Sequence, residues 1–578
     1  MSTLLLALNA KYIHSNIAVR YLQKYAAPFL SQPPQILELT INNRMDFILD
    51  EIFRRSPDLL LFSTYIWNVD LVRRLAAEYR KLRPDALIGG GGPEVSYESE
   101  AFLRQNPAFD LIVRGEGEET VRHLLAARES GLDWTILPGL TVRSGQAVRT
   151  NPPRSALDLA SLPFPYEADL SDTVEQIKYY ESSRGCPFQC QYCLSSIEKG
   201  VRAAPLDKVF ADLEIFLRAK ARQVKFVDRT FNYDAQRALA IWRFLHDHDN
   251  GITNFHFEIT AELLNRETLD FLRTVRPGQF QFEIGVQSTN PQTLGAIRRQ
   301  NNWPLLCATV REIKSFHNIH QHLDLIAGLP YENYESFHRS FNDVYTLEPE
   351  QLQLGFLKIL KGAGLFYDQQ KYGLVSRDDP PFEVLFTPDL PYQDTLRLKA
   401  VEEMVEQYYN SGRFVHTLHW LFSQLEDPFL FYQSLGDRFI REGRQYESQS
   451  LEQRYSFFHR FCVQIPDIDA SLLSQYLKLD YCLHQRPKRH PDWFPGPDAA
   501  PLRQRALLFL DQEENRARYL PEDPGTDSKL LYKLVHFEPF SVDVLNGSTI
   551  PVVLLFDYRR KDLLGNAKVQ SVTLPEQK

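Results

Sequence analysis

The stretch RGCPFQCQYC, residues 184–193, sets Cys186, Cys190 and Cys193 within eight positions of a 578-residue chain that holds only six cysteines. Thiolates crowded on one short loop can ligate a soft metal, and the spacing C-x3-C-x2-C selects which one. No fourth cysteine and no histidine stands nearby, whereas a structural zinc site takes four protein ligands. The triad therefore suits a cubane [4Fe-4S] cluster with one iron left open, with a zinc knuckle or coincidence as the competing explanation. Cys307, Cys462 and Cys482 are scattered and read as buried, inert thiols.

Such a loop needs a scaffold to hold it. Apolar runs at 3–9, 35–40, 58–64, 86–90 and 110–115 alternate with helical patterns. This βαβ series predicts an α/β domain over 1–135, a doubly wound, flavodoxin-like parallel sheet covered on both faces. The polar hairpin pattern at 140–151 and the proline-rich 151–167 are assigned to a linker, 136–172. A second series, at 177–183, 223–228, 255–260, 280–286, 321–328 and 351–357, predicts a partial (β/α)6 TIM-like barrel over 173–364 with its chemistry at the C-terminal strand ends. One large open sheet is the alternative. The cysteines follow the first of these strands. Residues 365–578 read as a mostly α-helical domain, with a long helix at 393–412 and a strand or two at 549–560.

The cysteine spacing resembles the CxxxCxΦC motif of the radical S-adenosylmethionine (SAM) superfamily, with Tyr192 as the aromatic Φ. The resemblance implies that Cys186, Cys190 and Cys193 ligate the cluster. It also implies that the open iron chelates the amino and carboxylate groups of SAM, and that the reduced cluster cleaves SAM to a 5′-deoxyadenosyl radical. Asp228, in FVDRTFN, stands where the family has a GGE-type motif that meets the SAM ammonium. Glu258, in the otherwise apolar FHFEIT, is expected to face the barrel interior as an acceptor for ribose hydroxyls, a buried structural glutamate being the alternative. EIGVQSTN resembles the oxygen-independent coproporphyrinogen oxidases, which implies that Gln287 and Arg299 bind SAM, the arginine through its carboxylate. DLIAGLP matches the family's D-x-I-x-G-L-P and implies ribose and adenine contacts from Asp324 and Ile326.

The N-terminal domain resembles that of the B12-binding-domain radical SAM proteins, on the loops NAKYIHSN (9–16), STYIWN (63–68), GGGGPEVS (89–96) and VRGEGEET (113–120). Such loops lie at the strand ends where doubly wound folds bind ligands. The resemblance implies cobalamin contacts from Tyr12, His14, Ser63, Thr64, Tyr65, Trp67, Gly90, Gly91, Gly92, Glu94, Gly115 and Glu116. The glycines would admit the flat corrin or its nucleotide tail. Ser63, Thr64 and Tyr65 would line the base tail, and Trp67 would pack on the lower face of the ring. A DxHxxG signature is absent, so His14 is given at most a binding or scaffold role and not that of a cobalt ligand. The segment 386–414 resembles the uncharacterised C-terminal domain of one branch of these proteins.

A net charge of −9, with no basic run longer than RPKRH at 486–490, argues against broad nucleic-acid binding. Without a signal-like segment or an apolar run of about 18 residues, the chain reads as cytoplasmic with no membrane partner. The expectation is an enzyme that uses SAM, the cluster and cobalamin to methylate an unactivated carbon, with an electron donor such as flavodoxin or ferredoxin. The competing readings are a cobalamin-assisted or cobalamin-free rearrangement, an RNA methylthiotransferase-like activity, and a non-catalytic cluster- and corrin-binding sensor.

Overall fold

The structure, a computed structural model, describes residues 2–576 except 174, 198–199, 488–489, 495–498, 523–524 and 562–564, so part of the basic run at 486–490 lies outside the described residues. The chain divides into two compact units, Met1–Asp343 with Leu354–Thr395, and Val344–Gln353 with Leu396–Lys578.

In the first unit, β1 (Thr3–Asn9), β2 (Gln35–Thr40), β3 (Leu59–Ser63), β4 (Leu87–Gly91) and β5 (Leu111–Val113) form a parallel sheet in the order β2-β1-β3-β4-β5. The inner strands are apolar along their whole length because helices cover both faces. Leu4, Leu6, Leu60 and Phe62 bury on one side, Leu5, Ala7, Leu59 and Leu61 on the other. The helix Ile17–Ala26 begins where the Asn16 side chain accepts a hydrogen bond from Val19 N, so the loop after β1 is a fixed cap.

The hairpin at 140–151 differs from its expected place in a linker. Its strands β6 (Leu140–Ser144) and β7 (Ala147–Thr150) extend the sheet antiparallel beyond β5, making seven strands. Leu140 and Val142 are buried beside Val113 and Leu111, which an edge hairpin achieves by alternating one apolar face inward.

The same unit holds a six-stranded sheet in sequential order, β8 (Lys178–Tyr180), β11 (Gln223–Phe226), β12 (Asn254–Ile259), β13 (Phe280–Gln287), β14 (His320–Ala327) and β15 (Gln351–Phe356). Between β8 and β11 the chain makes an antiparallel pair, β9 (Ser183–Cys186) with β10 (Gly200–Ala203). The six strands alternate strictly. Phe255, Phe257, Ile259, Phe280, Phe282, Ile284, Leu323 and Leu325 are buried on one face, where they pack against helix residues such as Trp242. The residues between them, His256, Glu258, Gln281, Glu283, His322 and Asp324, share the other face, so the inside of the barrel is polar.

A small ribbon, β16 (Val375–Ser376) with β17 (Val384–Phe386), completes this unit. In the second unit the expected long helix is Tyr392–Met404, which runs into a wider π-helical stretch, Val405–Asn410. Further helices lead to a three-stranded antiparallel sheet, β18 (Val535–Phe540), β19 (Val552–Lys561) and β20 (Ala567–Val572), where the apolar run at 549–560 had suggested a strand or two.

Candidate active site

Cys186 ends β9. Gly185 before it has φ 98°, and a Cβ there would overlap the Gly200 carbonyl oxygen of β10, so only glycine permits this close crossing. Cys190 is buried, and Cys186 and Cys193 are half-buried. The loop is stitched at several points. Cys193 N donates to Cys190 O (3.1 Å), Gln191 N to Ile297 O (2.9 Å) and Leu365 N to Gln191 O (2.8 Å). Arg299 Nη1 donates to Tyr192 Oη at 3.2 Å and stands 4.0 Å from Cys190 Sγ, while Nη2 donates to Gly285 O. Burial pushes the Cys190 thiol up, and the Arg299 charge opposes that rise.

The strand ends around the loop bring together most of the expected SAM residues. Gln287 has φ 72° at a register shift after Gly285, and its buried Oε1 has no hydrogen-bond partner. Asp324 carries a buried Oδ1 that is likewise unpartnered. Burial, with Glu283 and Glu258 nearby, pushes its carboxyl well above the usual range. Glu258 is raised to about 7 by burial, against the pull of Arg229 at 3.9 Å. Ile326 and Tyr192 pack on a small apolar cluster with Ile297 and Leu329.

Asp228 differs from its expected position facing SAM. It is 1% exposed, and its carboxylate accepts from Ser182 N (2.9 Å), Ser182 Oγ (2.6 Å) and Ser183 Oγ (2.6 Å). Three donors leave it tying the end of β8 to the start of β9, with its carboxyl raised by burial to about 6.

Two groups escaped the sequence reading. Arg229, next to Asp228, has Glu258, Cys193, Tyr65 and Glu181 as charge neighbours, and so faces the cysteine loop and the N-terminal domain at once. Deeper in the barrel, Glu283 accepts from His256 Nε2 at 2.9 Å and Lys225 Nζ at 3.2 Å, and these partners hold its carboxyl down to about 2 despite burial. The strict inward alternation of β11 to β14 is the signal that would have found Lys225, His256, Glu283 and His322.

The residues expected to hold cobalamin separate into two sets. Tyr12 is 73% exposed, Trp67 is 44% exposed and stacks on Tyr65 at 4.4 Å, and Gly115 has open space where a Cβ would be. The others are spent within the protein. Ser63 Oγ accepts from Asn16 Nδ2 at 3.3 Å, and Thr64 is fully buried, its N donating to Gly91 O at 2.7 Å. Gly90 and Gly91 lie in β4 against Thr64 and Val113. Gly92, with φ 112°, fits beneath the Thr64 carbonyl oxygen where a Cβ would overlap it. The protein's own backbone thus requires glycine at Gly92. Glu94 is 5% exposed and pairs with Lys361 Nζ at 2.6 Å. Trp67 Nε1 donates to Leu8 O at 3.1 Å, and one face of its ring covers Tyr65.

His14 and Glu116 join the sheet to the barrel. His14 Nδ1 lies 2.7 Å from Tyr179 Oη, and Ile177 N donates to Ile13 O at 2.7 Å, so the loop after β1 is hydrogen-bonded to the first barrel strand. Glu116 pairs with Arg202 and, at 3.4 Å, with Arg184, and accepts from Leu157 N at 2.7 Å. Arg184 also meets Glu118 and Glu181, each at 2.8 Å, beside the cysteine loop.

Comparison with known proteins matches residues 3–125 to the B12 binding domain, 180–344 to the radical SAM superfamily and 370–556 to a protein family of unknown function, DUF4080. The cobalamin-dependent radical SAM methyltransferase TokK of Streptomyces tokunonensis is 27% identical over 377 residues, 61% of this chain and 54% of TokK. The chain spans about half the length of the curated relatives it matches. Two solved structures share the fold. The radical SAM methyltransferase TsrM from Kitasatospora setae, with cobalamin and a [4Fe-4S] cluster bound, has a TM-score of 0.53 at 20% identity, covering 66% of this chain and 79% of TsrM. The cobalamin-dependent SAM radical enzyme OxsB, with aqua-cobalamin bound, has a TM-score of 0.56 at 15% identity, covering 90% of this chain and 81% of OxsB. The chain thus combines, in this order, segments that match the B12 binding domain, the radical SAM superfamily and DUF4080.

Proposed function

We propose that the protein is a cobalamin-dependent radical SAM methyltransferase acting on an unactivated carbon. The observation that carries this reading is the convergence at one barrel mouth of the three-cysteine loop, the Arg299 and Arg229 cations, and two buried acceptors, Gln287 Oε1 and Asp324 Oδ1, that no described residue satisfies. A ligand that brings its own donors would satisfy both. A nucleoside with ribose hydroxyls and an ammonium is such a ligand.

Cys186, Cys190 and Cys193 would hold the cluster, leaving one iron without a protein ligand. Arg299 would pair with a carboxylate, and Glu258, Gln287 and Asp324 would accept from an ammonium or from sugar hydroxyls. Ile326 and Tyr192 offer the apolar wall a purine base needs. Tyr12 and Trp67, the latter stacked on half-buried Tyr65, are exposed aromatics at the strand ends of β1 and β3, and would meet the edge or face of a corrin more readily than the buried Ser63 and Thr64. When bound, the cluster supplies the electron that opens the SAM sulfonium, and the corrin supplies a methyl carrier. Arg229, with Tyr65 and Cys193 among its charge neighbours, and the Glu116 clasp would hold the cluster-binding loop and the N-terminal domain together around these groups. The electron itself comes from an external donor such as flavodoxin or ferredoxin.

Anaerobic reconstitution tests the reading. Wild-type protein should hold about four irons and about one corrin per chain and form 5′-deoxyadenosine from SAM under a reductant, whereas Cys190→Ala should hold almost no iron. Iron retained by Cys190→Ala, or an iron-loaded wild type that leaves SAM intact, would overturn it.

A further inference from the structure

The second unit contains a polar cluster with no place in the reading above. Cys482, near the end of the helix Ala470–His484, and His536 and Glu538, two apart on β18, bring Sγ, an imidazole nitrogen and a carboxylate oxygen within 4.8 Å of one another. A fourth group joins them. His490 Nε2 lies 3.3 Å from Glu538 Oε2, the same oxygen that His536 Nε2 approaches at 3.0 Å.

The surroundings are apolar. Cys482 is fully buried and Glu538 is 1% exposed, within a core of Leu479, Leu483, Phe540, Leu554 and Phe556. Glu538 Oε1 receives no hydrogen bond, and its one ion partner is Lys478, whose Nζ stands 3.5 Å away while donating to Pro539 O at 2.5 Å. Two imidazole nitrogens on one carboxylate oxygen, with a thiol alongside, are an uneconomical use of a hydrophobic core if hydrogen bonding is the only purpose. The thiol adds almost nothing to such a network.

A divalent ion uses the three converging groups. We propose that Cys482, His536 and Glu538 form a site for one zinc-class divalent ion, independent of the cysteine loop, with His490 as a partner of the Glu538 carboxylate. Thiolate, carboxylate and neutral imidazole are all zinc ligands, water completes the tetrahedron, and the two anionic ligands balance the dipositive ion inside the core. Binding releases the Cys482 thiol proton to solvent, with no change of oxidation state. The site would pin the C-terminal sheet to the helix before it, in the manner of a buried staple.

Metal analysis separates this site from the cluster. Full-length protein incubated with one equivalent of zinc and passed through gel filtration should retain about one zinc per chain, besides its iron. Cys482→Ser, nearly the same size, should lose at least about nine-tenths of that zinc while keeping iron and SAM cleavage, and Cys190→Ala should do the reverse. Cobalt(II) in place of zinc should give a thiolate charge-transfer band in wild type that is absent from Cys482→Ser. If folded wild-type protein, checked by circular dichroism, retains no zinc, or if the cobalt band survives Cys482→Ser, the proposal fails.

Discussion

Arg299 serves three neighbours, the Tyr192 hydroxyl, the Gly285 carbonyl and the Cys190 sulfur, and still lies where a ligand carboxylate would pair with it. Arg299→Ala is expected to keep about four irons but to weaken SAM binding at least about tenfold, about 1.4 kcal/mol, in equilibrium dialysis. Unchanged SAM affinity would remove Arg299 from the site. Asp228 makes a different prediction because its carboxyl titrates near 6 in the folded chain and near about 3.9 when unfolded. Between these values the folded state carries a proton that the unfolded chain has lost, so the contribution of Asp228 to stability falls as pH rises through that window and is constant outside it. Asp228→Asn removes this slope. The difference in unfolding free energy between variant and wild type should therefore shift by about 2–3 kcal/mol in the variant's favour between about pH 4 and 7, read from denaturant titrations. The sequence named the cysteines, Gln287, Arg299 and Asp324 from motif order, and the structure brings them to one end of the barrel. For Asp228 it could not foresee the donors of Ser182 and Ser183, because a carboxylate in a motif looks the same whether it faces a ligand or protein donors. Only the fold supplies those donors.

Among elements, the β9–β10 pair is the piece on which the cysteine loop depends. Gly185→Ala forces a side chain against the Gly200 carbonyl at a positive φ, a cost of about 2 kcal/mol or more. Iron content should fall to less than about half even though all three cysteines remain. Iron at the wild-type level would show that the loop does not need its hairpin. The barrel strands were readable from their alternation, since Phe255, Phe257 and Ile259 must pack on helices while His256 and Glu258 cannot. The hairpin β6–β7 was read as a linker for an equally physical reason. Its apolar residues, Leu140 and Val142, are too few to reveal which sheet buries them.

At the scale of the whole first unit, the Glu116 clasp is what couples the N-terminal sheet to the barrel. Glu116→Gln removes the carboxylate that Arg184 and Arg202 share in this half-buried cluster, while Arg184 keeps Glu118 and Glu181. Limited trypsin digestion should then cut the variant within 151–177 several-fold faster than wild type, an effect that Glu129→Gln, on the outer surface, should not produce. Equal rates would mean that the clasp carries no strain between the two parts. Here the sequence offered least, because a contact between residues 116 and 184 leaves no trace in local pattern.

The connector before the barrel bears on how the chain can be cut. Tyr166 Oη accepts from Tyr179 N at 2.7 Å and lies 3.1 Å from Ser15 Oγ, while Arg184 draws two of its carboxylates from the N-terminal domain. A shortened chain starting at residue 173 would leave the inner edge of its first barrel strand without those partners and a guanidinium stranded beside the cysteine loop. A fragment that keeps these contacts therefore begins at β1, and the N-terminal sheet is a structural partner of the barrel.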